Sequence, residues 1–132
     1  MILDKDSIQK INIFEQLTKA RIKDIFNSNG LLIVVHFGDI GRAVGKNGAN
    51  IKKYSYMINE KVRVVEFNKD PLIFLKNLIM PLKFDKIVQE EGFIRIYADT
   101  KTKALLIGRN QKNLEQYNKI FRKYFNIKIL IR

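Results

Sequence analysis

The spacing of hydrophobic residues over the first half of the chain predicts two helices and three strands. Apolar residues at 8, 11, 14 and 17 predict a helix over residues 7–19, and those at 51, 54 and 58 share one face of a second helix. ARIKDIF (20–26), LLIVVHF (31–37) and KVRVVEF (61–67) each predict a strand, the middle one largely buried. NSNG (27–30) predicts the hairpin turn between the first two strands, because Asn-Gly accepts positive φ angles.

The second half repeats this order. Asp70-Pro71 begins an apolar helix, PLIFLKNLIM, that Pro81 ends. KFDKIVQ (83–89) and FIRIYAD (93–99) flank a turn at 90–92 and predict a second hairpin. A helix with apolar residues at 114, 117, 121 and 124 follows, and IKILI (127–131) predicts the last strand.

The two halves also share residues. A shift of 63 places ALLIGRNQKNLEQY (104–117) over GRAVGKNGANIKKY (41–54), which pairs Gly45 with Gly108, Asn47 with Asn110, Asn50 with Asn113 and Tyr54 with Tyr117. We therefore predict a tandem repeat of one small α/β module, with modules at 1–69 and 70–132. No low-complexity linker separates them, so we expect them to pack together, with the helix at 71–80 between them.

The net charge of the chain limits the kinds of molecule that it is expected to bind. The chain of 132 residues carries 25 Lys and Arg against 13 Asp and Glu, a net charge of +12, of which +5 falls in 1–69 and +7 in 70–132. This excess indicates a polyanion, either nucleic acid or an acidic membrane surface, and a merely solubilising basic surface is the alternative. Cysteine is absent, which excludes thiol chemistry and Cys-based zinc sites. The acidic start and the lack of a long apolar run indicate a cytoplasmic protein rather than a secreted or membrane-spanning one.

The glycines of GRAVGKNGANIKKY suggest a phosphate-binding turn. A Walker A loop is excluded, since Gly41 stands one residue too close to Gly45 and Asn47 lacks the hydroxyl that binds magnesium. A dinucleotide loop should follow a strand directly within a parallel βαβ unit, which this stretch does not. The remaining interpretation is a GxxG loop, Gly45 to Gly48, that joins two short helices. Its glycines let a sugar-phosphate backbone come close before the basic second helix. A tight turn with solvated lysines is the structural alternative.

This stretch, IGRAVGKNGANIKK (40–53), resembles the paired KH domains of NusA, and more specifically the short archaeal NusA-like proteins with two KH modules. The resemblance extends over nearly the whole chain. It implies an α/β fold (an α+β sandwich) of two type II KH domains, each a three-stranded sheet with helices on one face. It also implies binding of single-stranded RNA (a nascent transcript) in transcription elongation or termination, with RNA polymerase as a further partner.

Carried over residue by residue, the resemblance gives an expected RNA-binding set. It comprises Arg42, Gly45, Lys46, Asn47, Gly48, Asn50, Lys52 and Lys53 in the first module, and Gly108, Arg109, Asn110 and Lys112 in the second. The second loop departs from the pattern, because Gln111 replaces the closing glycine. A side chain there should hinder approach of the RNA backbone and strain any positive φ. Whether that loop binds RNA or only supports the first module stays open at this point.

Other residues give little sign of catalysis. His36 is the only histidine and lies in a predicted strand, where a structural role is expected, and no cluster has metal-ligand spacing. Tyr56 lies off the apolar face of its helix and is a candidate for base stacking, although packing or simple exposure is the commoner role. We expect a monomer without cofactor that is not an enzyme. The alternatives are a ribosome-associated or ribosome-assembly KH protein, an adaptor that contacts polymerase rather than RNA, and a nucleotide-dependent enzyme.

Overall fold

The computed structural model describes residues 4–27 and 30–132. The chain divides into two compact units, Met1–Lys69 and Asp70–Arg132. The centre of the predicted NSNG turn, residues 28 and 29, lies outside the described residues.

The first unit has the order α-β-β-α-α-β. Its elements are α1 (Lys5–Thr18), β1 (Ile22–Asn27), β2 (Leu31–Val35), α2 (Ile40–Val44), a 3-10 turn (Lys46–Gly48), α3 (Ala49–Ile58) and β3 (Val62–Glu66). The sheet order is β1-β2-β3, with β2 antiparallel to β1 and parallel to β3. The parallel pair follows from the two helices that connect β2 to β3.

The second unit repeats this order. Its elements are α4 (Pro71–Ile79), β4 (Lys86–Glu90), β5 (Phe93–Tyr97), α5 (Thr100–Ile107), a 3-10 turn (Arg109–Gln111), α6 (Lys112–Tyr124) and β6 (Lys128–Ile131). The sheet order is β4-β5-β6, again with one antiparallel and one parallel pair. The predicted elements are thus present in the predicted order, and their ends differ from the sequence prediction by a few residues.

Helices α1 and α4 begin at similar caps. The side chain of Asp4 accepts a hydrogen bond from the Ser7 N–H at 2.7 Å, and that of Asp70 accepts one from the Leu72 N–H at 2.9 Å. Each carboxylate satisfies a donor that the first turn of a helix leaves unpaired. Pro71 follows its cap at the first helical position, where a missing N–H costs nothing.

Each unit packs its leading helix against the helix that follows its loop. In the first, the rings of Phe14 and Tyr54 meet edge to face at 4.9 Å, and the Tyr54 hydroxyl donates to the Lys10 carbonyl at 2.8 Å. In the second, the ring of Phe74 lies 5.6 Å from that of Phe121. Helix α4 is thus the leading helix of the second unit, and its place between the two modules stays a prediction. These contacts hold the loops on rigid helices.

Candidate nucleic-acid interface

The GxxG loop of the first unit connects α2 to α3 through a sharp reversal at Gly45. Gly45 has φ 75° and ψ 171°, a conformation essentially reserved for glycine. A Cβ there would lie 2.8 Å from Cγ of Asn50, closer than such atoms approach, and its 3.0 Å distance to the Asn50 backbone nitrogen would also be tight. This first glycine is therefore required by the backbone and by its neighbour.

Asn50 braces the loop. Its Nδ2 donates to the carbonyl oxygen of Arg42 at 2.8 Å, which ties the start of α3 to the end of α2. The sequence placed Asn50 among the RNA contacts and did not foresee this bond. The repeat carried a signal of it, because Asn113 stands at the equivalent position and donates to the Leu105 carbonyl at 2.9 Å.

The turn leaves two backbone donors open. Asn47 and Gly48 both have positive φ, 56° and 75°, which Asn and Gly adopt more readily than other residues. The N–H of Gly48 donates to Gly45 and that of Ala49 to Lys46. Within the described residues, the N–H groups of Lys46 and Asn47 have no hydrogen-bond partner. Consecutive free N–H groups beside a positive-φ residue suit an anionic oxygen.

Three of the predicted basic side chains in and after this turn are exposed, and the fourth forms an ion pair. Lys46, Lys52 and Lys53 are exposed, and Cε of Lys52 lies 3.9 Å from where a Cβ of Gly48 would be. Arg42 instead pairs its guanidinium with the carboxylate of Asp39. More than half of the Arg42 side chain remains exposed, so it borders the loop while its charge is partly balanced.

The sequence analysis missed Asp39. Its carboxylate is almost fully buried and accepts from the Arg21 N–H at 2.8 Å and from the Arg21 Nε at 3.1 Å. The backbone hydrogen bond from Arg21, with help from both guanidinium groups, lowers the pKa of Asp39 to about 2. Asp39 therefore stays ionised near neutral pH and fixes Arg42. The available signal was its place directly before a short helix.

An open groove lies beside the loop in each unit. In the first it has a volume of about 610 Å³ between the outer face of α3 and the start of β3, lined by Ile51, Lys52, Ser55, Tyr56, Asn59, Glu60, Lys61 and Val62. The groove of the second unit is larger, about 920 Å³, and is lined by Gly92, Phe93, Glu115, Asn118, Lys119, Arg122, Asn126, Ile127 and Lys128. Basic residues outnumber acidic ones in the lining of both grooves.

Comparison with known proteins places this arrangement in a family. A family model described as KH domain matches residues 9–78. The chain is 31% identical to the probable transcription termination protein NusA of Methanocaldococcus jannaschii, over 95% of this chain and 71% of the relative. Identity to the protein of the same name from Methanococcus vannielii is 28%, over 86% and 69%. The chain belongs to the NusA-like KH-domain family.

A solved structure shares the fold. The crystal structure of APE1850 superposes with a TM-score of 0.73 and 25% identity, over 98% of this chain and all of that one. The predicted fold of two KH modules, each with a three-stranded sheet and helices, is confirmed, as is the predicted family.

The second KH loop keeps the backbone of the first. Gly108 has φ 75° and ψ 168°, and Asn110 has φ 57°, each within a few degrees of its counterpart. Gln111 has φ 61° and ψ 20°, so a glutamine occupies the left-handed conformation that Gly48 has in the first loop. Gln111 therefore has the positive φ in which a side chain is strained. Arg109, Asn110 and Lys112 are exposed around it.

The remaining candidates from the sequence analysis are Tyr56 and His36. The side chain of Tyr56 is 88% exposed beside the first groove, so it does not serve as a packing residue. His36 is half-buried, and its backbone bonds to Arg21 and Asp39. Among the described residues, no group of three His, Cys, Asp or Glu side chains could hold a metal ion. No helix in the described part of the chain is long and apolar enough to cross a membrane.

Proposed function

We propose that this protein binds single-stranded RNA, a nascent transcript, through the Gly45–Gly48 loop and acts in transcription elongation or termination. One observation carries the proposal: the unpartnered N–H groups of Lys46 and Asn47 stand between two positive-φ glycines. Such donors hold a phosphate oxygen as the start of a helix does. Membership of the KH family supports RNA binding, and the relatives' name supports a transcription-related role.

In this mechanism the loop positions the RNA backbone, and the lysines attract its phosphates. Gly48 offers the RNA backbone a surface without a side chain, and the dipole of α3 adds a partial positive charge behind the loop. Lys46, Lys52 and Lys53 supply counter-charge to neighbouring phosphates. Bases lie in the adjoining groove along α3, where Tyr56 presents an exposed ring for stacking.

Each compact unit acts as one KH domain in this proposal, with domains at 1–69 and 70–132. Arg109 and Lys112 of the second domain supply further phosphate contacts although Gln111 crowds its loop. The protein works by binding, as a cytoplasmic monomer that needs no cofactor and that contacts RNA polymerase.

The charge-reversing double variant Lys46→Asp with Asn47→Asp tests the site. It should abolish binding to a short unstructured RNA, measured by fluorescence anisotropy, because carboxylates then stand beside the phosphate-binding N–H groups. Thermal unfolding should change little, since Lys46 is exposed and Asp tolerates the left-handed conformation of Asn47.

A matched control separates local from global charge. Lys5→Asp with Asn12→Asp changes the net charge by the same amount at exposed positions of α1. This control should retain most of the affinity. Equal losses in both double variants would mean that general charge, not the loop, governs binding, and undiminished binding by the loop variant would refute the assigned site.

A further inference from the structure

Two arginines of the first KH domain are held by one buried carboxylate. One oxygen of Asp39 accepts from the Arg21 N–H at 2.8 Å and from the Arg21 Nε at 3.1 Å, and the other pairs with Nη2 of Arg42. The Asp39 side chain is almost fully buried, whereas more than half of each arginine side chain is exposed. Both guanidinium groups are therefore fixed on the protein side and reach solvent on the other.

Each guanidinium of this arginine pair keeps N–H groups for a ligand. Arg21 binds the carboxylate through Nε, which leaves both its Nη groups, and Arg42 uses only Nη2. Within the described residues no other hydrogen bond or ion pair involves either guanidinium. Asp39 balances only one of the two charges. A guanidinium presents its donors in a flat fork that matches phosphate oxygens, so the pair suits a phosphate.

Asp39 stands where an aspartate usually caps a helix, and it does not cap. It is the N-cap residue of α2, but its side chain makes no hydrogen bond to the first turn of that helix. Asp4, Asp70 and Asp99, which precede α1, α4 and α5, each accept from a backbone N–H of the following turn. Such a bond is the ordinary role of aspartate at this position. The Asp39 carboxylate serves the arginine pair instead.

The second KH domain forms its loop without this cluster. A shift of 63 places Thr102 at the position of Asp39 and Leu105 at that of Arg42. Helix α5 nevertheless forms there, and the loop after it has nearly the same dihedral angles as the first loop. The cluster is therefore not needed to shape a KH loop, which leaves its exposed arginines for another purpose.

An exposed aromatic ring lies in the turn directly before Asp39. The Asp39 N–H donates to the His36 carbonyl at 3.1 Å, which closes a tight turn with Phe37 and Gly38 at its centre. The Gly38 N–H donates to Glu66 at 3.0 Å, which holds this turn against β3. Phe37 is 69% exposed, so its ring is available to stack on a base.

We propose that Arg21, Arg42 and Phe37 bind one nucleotide of single-stranded RNA next to the GxxG loop. The arginine pair holds the phosphate, and the ring stacks on the base. The inference rests on the proposed function and extends the RNA contact beyond the loop. Arg42 lies three residues before Gly45, about 4.5 Å along α2, so one strand can reach both sites. Asp39 acts as a positioning residue that orients both guanidinium groups.

Single arginine substitutions test the phosphate contact. Arg21→Gln and Arg42→Gln are titrated by fluorescence anisotropy with an unstructured RNA of about eight nucleotides, twice the number that a KH loop holds. Either change should weaken binding about tenfold, because Asp39 then balances the arginine that remains. The slope of log affinity against log salt should fall by about 0.7, the value for one phosphate. Arg132→Gln, the same change at an exposed arginine without an ion pair, should leave both unchanged.

Two further variants test the ring and the carboxylate. Phe37→Ala should weaken RNA binding by about fivefold or more, the lower range for stacking of one base, with little change in thermal unfolding because the ring is exposed. Asp39→Asn adds a positive charge but releases both guanidinium groups, which must then be ordered again on binding. It should weaken binding, whereas added charge alone would strengthen it. If Asp39→Asn does not fold, the exposed arginine variants decide.

Unchanged affinity and salt slope in Arg21→Gln and Arg42→Gln would overturn the inference, and so would equal losses in Arg132→Gln. Inorganic phosphate that stabilises wild type but not Arg21→Gln, with equal RNA affinity in both, would indicate a site for free anions and overturn it too. Full affinity in Phe37→Ala would refute the stacking contact, and tighter binding by Asp39→Asn the positioning role. In each case the proposed function stands as long as wild type binds RNA, and failure of wild type to bind would reject the proposed function itself.

Discussion

The two glycines of the first loop have different reasons to be glycine. At Gly45 an added Cβ would collide with Asn50, whereas at Gly48 the nearest atom to such a Cβ is Cε of Lys52, at 3.9 Å. The second loop shows the same conformation with a side chain present, because Gln111 has nearly the same dihedral angles as Gly48. The space around Gly48 therefore does not require a glycine, and the bare backbone is available for binding.

Exchanging these two residues separates folding from RNA binding. Gly48→Gln should lower the free energy of unfolding by only about 1 kcal/mol, because the strain at positive φ is partly offset by the lower entropy of the unfolded chain. It should nevertheless weaken RNA binding, since the side chain covers the backbone. Gln111→Gly should relieve that strain and strengthen binding through the second loop. Urea unfolding and anisotropy titrations measure the two effects, and unchanged RNA affinity in Gly48→Gln would argue against close backbone approach.

At the scale of elements, each loop is held by one amide that joins two helices. Asn50 and Asn113 both reach back to the last turn of the preceding helix, and each fills the space beside a glycine. The loop geometry therefore depends on helix packing as well as on its own four residues.

Gly45→Ala should disrupt the first loop where Gly41→Ala should not. The new methyl group must displace the Asn50 side chain, and the alanine must adopt a backbone conformation that is strained for any residue with a side chain. We therefore expect the free energy of unfolding to fall by roughly 1–3 kcal/mol. Among the described residues outside its own helix backbone, nothing lies within 4 Å of a Cβ at Gly41, and alanine favours a helix. Chemical denaturation of the two variants provides the comparison. Equal stability of both would show that α2 and α3 can part without cost.

The helices and strands could be predicted from the sequence, whereas most of the side-chain hydrogen bonds could not. Periodicity and turn residues located both hairpins and the helices, because these signals are local. The bonds of Asn50 and Asn113, and the burial of Asp39 against Arg21, depend on residues brought together only by folding. The repeat contained a signal that the prediction did not use, since asparagines stand at the same place in both modules and make equivalent hydrogen bonds.

At the scale of the whole molecule, the RNA affinity depends on two domains that are both basic. The net charge is +12, and both halves contribute. If each domain holds about four nucleotides, an RNA that reaches both gains from the high effective concentration of the second site. Affinity should then rise steeply once the RNA exceeds the length that one domain binds.

A length series of unstructured RNAs from about four to sixteen nucleotides measures this step. We expect a rise of about a hundredfold between the short and long RNAs, the lower end of the range for linked sites. In Arg109→Asp with Asn110→Asp the step should shrink, because the second domain loses phosphate contacts while the first still holds short RNA. The slope of log affinity against log salt should also fall, by about 0.7 for each contact removed. A gradual rise with length that this variant does not alter would indicate that the first domain alone binds the strand.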